Sequence, residues 1–324
     1  MLPQIHLADV DSRDELLAQA NAPEARAATA GFEAIMDLCD TEEFAPSEGL
    51  RVDEYTFTSA PDGNSIKLRV TRPDNDEVVP CVYYIHGGGM MTMSCYDGMY
   101  RGWAKIIAAN GVSVVAVDFR NALVASSAPE VAPFPAGLND CVSGVRWVAE
   151  HASELAIDAT RIVVAGESGG GNLTLATAMK LQRDGDISII AGVYALCPFI
   201  AGHWPQARFP SSIENNGILL SLHSNRAAMA YGIEAFEAED PLAWPSFATE
   251  SDVSGFPRTV ISVNECDPLR DEGLEFYRLL LSAGVPARGR QVMGTMHGVE
   301  IFCIMCPDIS RDTARDLAAF AAST

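Results

Sequence analysis

The feature that most constrains the fold is a regular alternation of short, continuously apolar segments with longer amphipathic ones. Five apolar segments have the length and composition of strands buried on both faces: VPCVYYI (79–85), VSVVAVDF (112–119), RIVVA (161–165), IIAGVYAL (189–196) and RTVISVN (258–264). Helical patterns lie between and after them, at 98–110, 137–154, 171–184, 272–283 and 308–322. Such alternation builds a mostly parallel sheet with helices on both faces, so the sequence predicts an α/β fold.

Three more segments complete a predicted sheet of eight strands. VDEYTFTS (52–59) and SIKLRVTR (65–72) alternate apolar with polar residues and flank the turn PDGN, which is typical of an antiparallel pair. In the second of them, Ile66, Leu68 and Val70 share one face, so we expect a half-exposed pair. RGRQV (288–292) is more polar and is predicted to lie near an edge.

Two segments have no place in this sheet. Residues 1–50 are predicted to be helical, with Pro23 opening a helix whose Ala28, Phe32, Ile35, Met36 and Cys39 can form an apolar stripe. Residues 199–247 are too long for a simple connection and contain one helical stretch near 221–235. We therefore predict one α/β domain over 51–324, covered by a helical cap made of residues 1–50 and the insertion 199–247.

Charge and cysteine content exclude several classes of function. The 43 Asp and Glu outnumber the 22 Lys and Arg, which gives a net charge of -21 that repels nucleic acids and anionic lipid surfaces. No signal peptide and no membrane span are recognised, and eight scattered cysteines favour free thiols in the cytoplasm. Cys303 and Cys306 have the spacing of half a metal or redox site but lack a second pair, so we expect them to pack within a helix.

The strongest local motif is Gly166-Glu167-Ser168-Gly169-Gly170, which matches G-x-S-x-G. It follows the strand RIVVA and precedes a helical pattern, which is the context that a nucleophile turn requires. Larger side chains two residues to either side of the serine would collide in such a sharp turn, so glycine is needed there. Ser168 is therefore the candidate nucleophile.

A second motif, His86-Gly87-Gly88-Gly89, follows the strand VPCVYYI. Glycines at the end of a buried strand let backbone N–H groups approach a ligand, which suits a developing oxyanion. We expect Gly88 and Gly89 to supply such groups together with Gly169, the residue after the nucleophile. His86 ends a buried strand, and we expect it to have a structural role.

A nucleophilic serine needs a general base, and the base needs an orienting acid. In this type of fold the chain order is serine, acid, histidine. Three histidines follow Ser168, and His297 is preferred over His203 and His223 because it lies in the loop GTMHG after the last strand.

The acid should follow another strand, between Ser168 and His297. Asp267 fits, because it follows the run RTVISVNEC and precedes Pro268 in a loop. The alternatives are Glu265, Asp271 and Glu272, of which the last two suit the start of the next helix.

These motifs together resemble those of the hormone-sensitive-lipase family of α/β-hydrolases. HGGG (86–89), GESGG (166–170), DPLRDEG (267–273) and MHG (296–298) carry the resemblance, which extends from about residue 50 to the end. Most family members have GDSAG at the serine, whereas this chain has Glu167 and Gly169, which indicates a subgroup.

The resemblance implies hydrolysis of carboxylic esters through an acyl-enzyme, without cofactor or metal. The family's triad falls on Ser168, Asp267 and His297, and its oxyanion donors fall on Gly88, Gly89 and Gly169. The expected partner is a small-molecule ester, and the sequence leaves a homodimer open. Apolar residues predicted to line the substrate pocket are Met90, Met91, Met93, Phe199, Trp204 and Phe209.

Other activities on the same framework remain as alternatives. A lipase, a lactonase and an amide hydrolase would use the same triad. A non-catalytic ligand receptor is a further rival, but His297 stands in its expected context, which favours an enzyme. No long apolar lid is evident, which disfavours a lipase that acts at interfaces.

Overall fold

A computed structural model describes residues 7–323, so the first six residues of the predicted cap and the last residue of the chain lie outside it. Its core is one eight-stranded sheet in the order β1-β2-β4-β3-β5-β6-β7-β8. The strands are β1 Leu50–Thr58, β2 Ser65–Pro73, β3 Val79–Ile85, β4 Ser113–Val117, β5 Ile157–Glu167, β6 Gly192–Leu196, β7 Arg258–Asn264 and β8 Ala287–Val292. This arrangement confirms the predicted α/β sheet.

Among the described strands, only β2 runs opposite to the rest of the sheet, since it pairs antiparallel with both β1 and β4. The predicted antiparallel pair is therefore confirmed, but its expected half exposure is wrong for β2. Ile66 and Leu68 are buried as expected, yet Arg69 and Thr71 on the other face are buried as well. The Arg69 guanidinium donates to the Thr71 hydroxyl at 3.1 Å, which allows these polar groups to be enclosed.

Five long helices cover the two faces of the sheet. On one face α4 (Ala136–Glu150), α5 (Gly169–Asp184) and α10 (Arg270–Ser282) contribute to a large apolar cluster. On the other face α3 (Gly98–Ala108) and α11 (Pro307–Ala322) pack in a second cluster. Among the described residues, none of the helices has the length and apolarity needed to cross a bilayer.

The N-terminal segment and the insertion contact each other beside the sheet. The segment contains α1 (Arg13–Ala20) and α2 (Pro23–Met36). The insertion contains the short helices α6 (Ser211–Glu214), α7 (Arg226–Tyr231) and α8 (Ile233–Glu237), and α9 (Glu250–Val253) follows it. Leu16 of α1 packs in one apolar cluster with Ala230 of α7. Val10 exchanges two hydrogen bonds with the Asn225 side chain, at 3.0 and 2.8 Å.

The apolar stripe expected in α2 has a different environment from the predicted one. Met36 and Cys39 are buried, but Phe32 is 37% exposed and Ile35 is 56% exposed. Leu16 of α1 makes the apolar contact with α7 of the insertion, whereas the side chains of Phe32 and Ile35 in α2 stay partly in solvent. The chain after α2 is held to α3 instead, where the Asp40 carboxylate pairs with Arg101 and Lys105 at 2.6 and 2.8 Å.

The Cys303 and Cys306 pair does not lie within a helix, contrary to expectation. Cys303 is in a turn, and Cys306 is the residue before α11. The buried Cys303 thiol donates to the carbonyl oxygen of Cys39 at 3.4 Å, which joins this turn to the N-terminal segment. All eight cysteines, each within residues 7–323, are free thiols.

Candidate active site

The predicted site residues meet at the carboxyl ends of neighbouring parallel strands. Ser168 directly follows β5, and the glycine loop 86–89 follows β3 beside it. Asp267 follows β7, and His297 follows β8. Because these strands are parallel neighbours or lie one strand apart, their end loops converge at one edge of the sheet.

The turn that holds Ser168 is sharp and strained. Ser168 has φ 56° and ψ −120°, a conformation that residues other than glycine rarely adopt. A Cβ atom on Gly166 would lie 2.5 Å from the carbonyl oxygen of Ile85, and one on Gly170 would lie 2.0 Å from it. The two glycines therefore let the turn lie directly against the end of β3.

The side chains of Ser168, His297 and Asp267 form a chain of hydrogen bonds. His297 Nε2 lies 2.9 Å from Ser168 Oγ, and His297 Nδ1 lies 2.7 Å from Asp267 Oδ2. The other oxygen of Asp267 accepts the N–H of Leu269 at 2.8 Å. This geometry suits a His297 tautomer that donates to Asp267 and accepts the hydroxyl hydrogen of Ser168.

The electrostatic environment favours the protonated form of His297. Burial alone would lower its pKa, but the carboxylate of Asp267 outweighs that effect and raises the pKa well above its usual value of 6.5. The raised pKa makes His297 a stronger base, because the Asp267 carboxylate stabilises the imidazolium that forms when His297 takes up a proton.

The glycine loop lies directly against the residue that follows the nucleophile. Gly88 and Gly89 have φ of 83° and 63°, so both need the left-handed region that suits glycine. A Cβ atom on Gly169 would lie 2.7 Å from the backbone nitrogen of Gly89 and 2.5 Å from that of Met90. The departure from GDSAG at this position therefore allows an unusually close approach between the loop and α5.

The other candidate histidines have different partners. His86 is fully buried, stacks on Phe119 at 4.2 Å between ring centroids, and contacts the carbonyl oxygen of Gly87 at 3.1 Å. Burial lowers the pKa of His86. His203 is exposed, and His223 Nε2 contacts the carbonyl oxygen of Ser212 at 2.8 Å.

The alternative acids also have other partners. Glu265 accepts the N–H of Gly294 at 2.6 Å, and Asp271 pairs with Arg270 at 2.8 Å. Glu272 is buried and accepts the N–H groups of Ile200 and Ala201 and the indole N–H of Trp204, at 2.7, 3.1 and 2.6 Å. Burial raises the pKa of Glu272 to about 8. This carboxylate fixes the start of the insertion, a role that the sequence analysis missed.

A cavity of about 330 Å³ opens above Ser168 and His297. Of the predicted pocket residues, Met91, Met93 and Phe199 line it. Trp204 instead lines an adjoining cavity of about 460 Å³, which shares Met91, Phe199 and Leu222 with the first. Met90 and Phe209 are buried in the core and line neither of these cavities.

Several cavity walls were not predicted from the sequence. Phe32 of α2 lines both this cavity and a larger one of about 690 Å³ that does not include Ser168. Further apolar walls come from the insertion and from the segment after His297, namely Leu219, Leu220, Leu222, Ile301 and Phe302. These residues have no motif or periodic spacing that would have identified them.

Among the described residues, the group that could hold a metal belongs to the same cluster. Ligand atoms of Cys197, Asp267 and His297 lie within 4.8 Å of one another, and all three residues are buried. A metal bound there would have to displace the proton that His297 and Asp267 share. The expectation that the protein needs no metal or cofactor stays a prediction.

Comparison with known proteins assigns the chain to a family. Residues 82–301 match the model of a family described as having the alpha/beta hydrolase fold. Carboxylesterase NlhH of Mycobacterium tuberculosis is 32% identical over 280 residues, which cover 83% of this chain and 82% of that protein.

Solved structures agree with this assignment. Esterase Est22 is 61% identical and superimposes with a TM-score of 0.97 over 99% of this chain and 98% of its own. Brefeldin A esterase, described as a bacterial homologue of human hormone-sensitive lipase, is 37% identical with a TM-score of 0.85, over 99% of this chain and 88% of its own. The chain therefore belongs to the alpha/beta-hydrolase family and, within it, to the hormone-sensitive-lipase group of carboxylic ester hydrolases.

Proposed function

We propose that the protein hydrolyses short- to medium-chain carboxylic esters through an acyl-enzyme on Ser168. The observation that carries this proposal is the hydrogen-bonded chain from Asp267 through His297 to Ser168 at the floor of an apolar cavity. The cavity volume of about 330 Å³ lies at the lower end of the range for small-molecule sites. Its methionine walls suit acyl groups of varied shape.

In the first half of the reaction, Ser168 Oγ attacks the ester carbonyl carbon while His297 Nε2 takes the hydroxyl proton. Asp267 accepts the Nδ1 hydrogen bond and stabilises the charged imidazolium. The negative oxygen of the tetrahedral intermediate lies against the N–H groups of Gly88, Gly89 and Gly169. His297 then gives its proton to the leaving alcohol, and the acyl group stays on Ser168.

The second half repeats these steps with water. His297 takes a proton from water as its oxygen attacks the acyl carbon, and the same N–H groups hold the new oxyanion. Proton return to Ser168 Oγ releases the carboxylic acid and restores the enzyme. With a net charge of -21, the protein should prefer neutral esters over anionic ones.

A series of p-nitrophenyl esters from acetate to laurate tests this function and its chain-length range. The assay suits the group, because Est22 has been solved with p-nitrophenol. Ser168→Ala should lower kcat by about 10⁴- to 10⁶-fold, and an organophosphonate should label Ser168 once. Near-normal turnover by Ser168→Ala would contradict the assignment.

Lactone opening is a second candidate, favoured by the 37% identity to brefeldin A esterase. A lactone carbonyl is an ester carbonyl, so the same steps would open the ring. Turnover of a macrocyclic lactone, followed by the appearance of the hydroxy acid, would support it. Failure with lactones but not with linear esters would restrict the activity to linear substrates.

A further inference from the structure

Glu167, the residue before the nucleophile, has no part in the steps above, yet its carboxylate is buried beside them. Its Oε1 accepts the hydroxyl hydrogen of Tyr100 at 2.8 Å, and its Oε2 accepts that of Tyr84 at 3.0 Å. Both tyrosines are buried. Burial raises the pKa of Glu167 to about 7, although the two hydroxyls favour its charged form. Burying an acid in this way destabilises the folded state, which indicates that Glu167 has a function.

Tyr100 connects this carboxylate to the glycine loop. The backbone N–H of Gly87 donates to the Tyr100 hydroxyl oxygen at 2.9 Å. Because that oxygen is the acceptor there, the single hydroxyl hydrogen of Tyr100 is free to point at Glu167. The sulfur of Met93, at 3.5 Å, is a weaker competing acceptor. The hydrogen bonds therefore run in one direction, from Gly87 through Tyr100 to Glu167.

Gly87 and Glu167 are also in direct contact. A Cβ atom on Gly87 would lie 2.0 Å from Glu167 Oε1. The carboxylate thus occupies the space that a side chain on the loop would need. Any displacement of Glu167 or Tyr100 would change the position of Gly87, and Gly88 and Gly89 come directly after it.

We propose that Glu167 and Tyr100 are positioning residues that hold the glycine loop so that the N–H groups of Gly88 and Gly89 stay aimed at the oxyanion. This inference rests on the proposed function, because it assigns a support to the oxyanion donors named there. A carboxylate acceptor strengthens the hydrogen bond of Tyr100 and makes its oxygen a better acceptor for Gly87. Tyr84 also donates to the Glu167 carboxylate, but it does not accept the N–H of Gly87 and so does not connect Glu167 to the glycine loop.

The two tyrosines provide a matched pair of variants. Tyr100→Phe removes the connection to Gly87, whereas Tyr84→Phe removes only a hydrogen bond to Glu167. With p-nitrophenyl butyrate, Tyr100→Phe should lower kcat by about 10- to 100-fold with KM within about threefold, less than the loss of a whole oxyanion donor. Tyr84→Phe should keep kcat within about threefold of wild type. Thermal unfolding of both variants checks that they fold.

A second measurement reports on the oxyanion alone. An aryl trifluoromethyl ketone forms a hemiketal with the nucleophile, and its oxygen occupies the oxyanion position. Its affinity should fall in parallel with kcat in Tyr100→Phe and remain unchanged in Tyr84→Phe. A role limited to stability would lower the unfolding temperature without changing this affinity.

If Tyr100→Phe does not fold, the test passes to Glu167. Glu167→Leu lacks the acceptor for the Tyr100 hydroxyl, so its kcat should fall by as much as we expect for Tyr100→Phe. Glu167→Gln, whose amide oxygen still accepts from Tyr100, should recover most of that loss. Equal losses in Tyr100→Phe and Tyr84→Phe, or unchanged kcat in Tyr100→Phe, would overturn the inference while leaving ester hydrolysis intact. A wild-type protein without turnover would instead overturn the proposed function.

Discussion

We expect Gly169→Ala to lower kcat by about 10²-fold while KM changes little. The new Cβ atom would lie 2.5 Å from the nitrogen of Met90 and 2.7 Å from both the nitrogen and the Cα atom of Gly89. All of these are backbone atoms, so no side chain can rotate out of the way. To reach an ordinary contact of 3.4 Å, the loop must retreat by roughly 0.7 to 0.9 Å.

This displacement acts on the groups that are proposed to bind the oxyanion. Such donors work at about 2.7 to 3.1 Å from the oxygen, so a shift approaching 1 Å takes them out of range. The ground-state ester depends less on them, which is why the loss should fall on kcat. The family motif GDSAG has alanine at this position, so the variant should fold.

The assay compares kcat and KM for p-nitrophenyl butyrate in wild type, Gly169→Ala and a control. The control is Gly192→Ala, in β6, where a Cβ atom would lie 2.7 Å from the ring of Phe320. Both variants should lose about 1 to 3 kcal/mol of unfolding free energy through overpacking. If Gly169→Ala keeps its kcat, or if Gly192→Ala loses as much, the reasoning about the loop is refuted.

Three further properties can be measured on the same enzyme. Asp267 raises the pKa of His297, so His297 loses its neutral, basic form as the pH falls below that raised pKa. We therefore expect kcat/KM to rise as the pH increases above 6.5. In a pH–rate profile, Asp267→Asn should move the midpoint to lower pH and cost about 10⁴-fold in kcat. EDTA should leave turnover unchanged, since the groups proposed to hold the oxyanion are backbone N–H groups. Excess zinc held by Cys197, Asp267 and His297 should inhibit reversibly, and loss of activity in EDTA that zinc restores would contradict this. Deleting residues 1–35 keeps the Asp40 ion pairs and should leave a folded core with an altered acyl-length preference. Wild-type kinetics across the ester series would show that α1 and α2 do not shape the site.

The meeting of Ser168, Asp267 and His297 could be expected from the sequence because each follows a recognisable strand. Parallel strands bring their carboxyl ends to one edge, so residues 129 positions apart, such as Ser168 and His297, can be placed together from local patterns. The steric need for Gly166 and Gly170 also follows from the motif itself.

The walls of the cavity could not be predicted in this way. Phe32 and Leu219 come from segments whose positions are set by packing between distant parts of the chain. In the sequence, Glu167 stands out only as a departure from the family pattern, because its partners Tyr84 and Tyr100 lie 83 and 67 residues away. The alternation in β2 predicts an exposed Arg69, but it does not show that α3 packs against β2 and that Arg69 is buried.

The bonding of Val10 to Asn225 also has a consequence for biosynthesis. These partners are 215 residues apart, so at about 5 to 20 residues per second a ribosome needs roughly 10 to 40 s to make the second after the first. During that interval, the apolar face that Leu16 presents has no native partner, and a nascent-chain chaperone has time to bind it. Only after α7 emerges can the N-terminal segment pack against the insertion, so slower translation should lengthen the time during which this apolar face can aggregate.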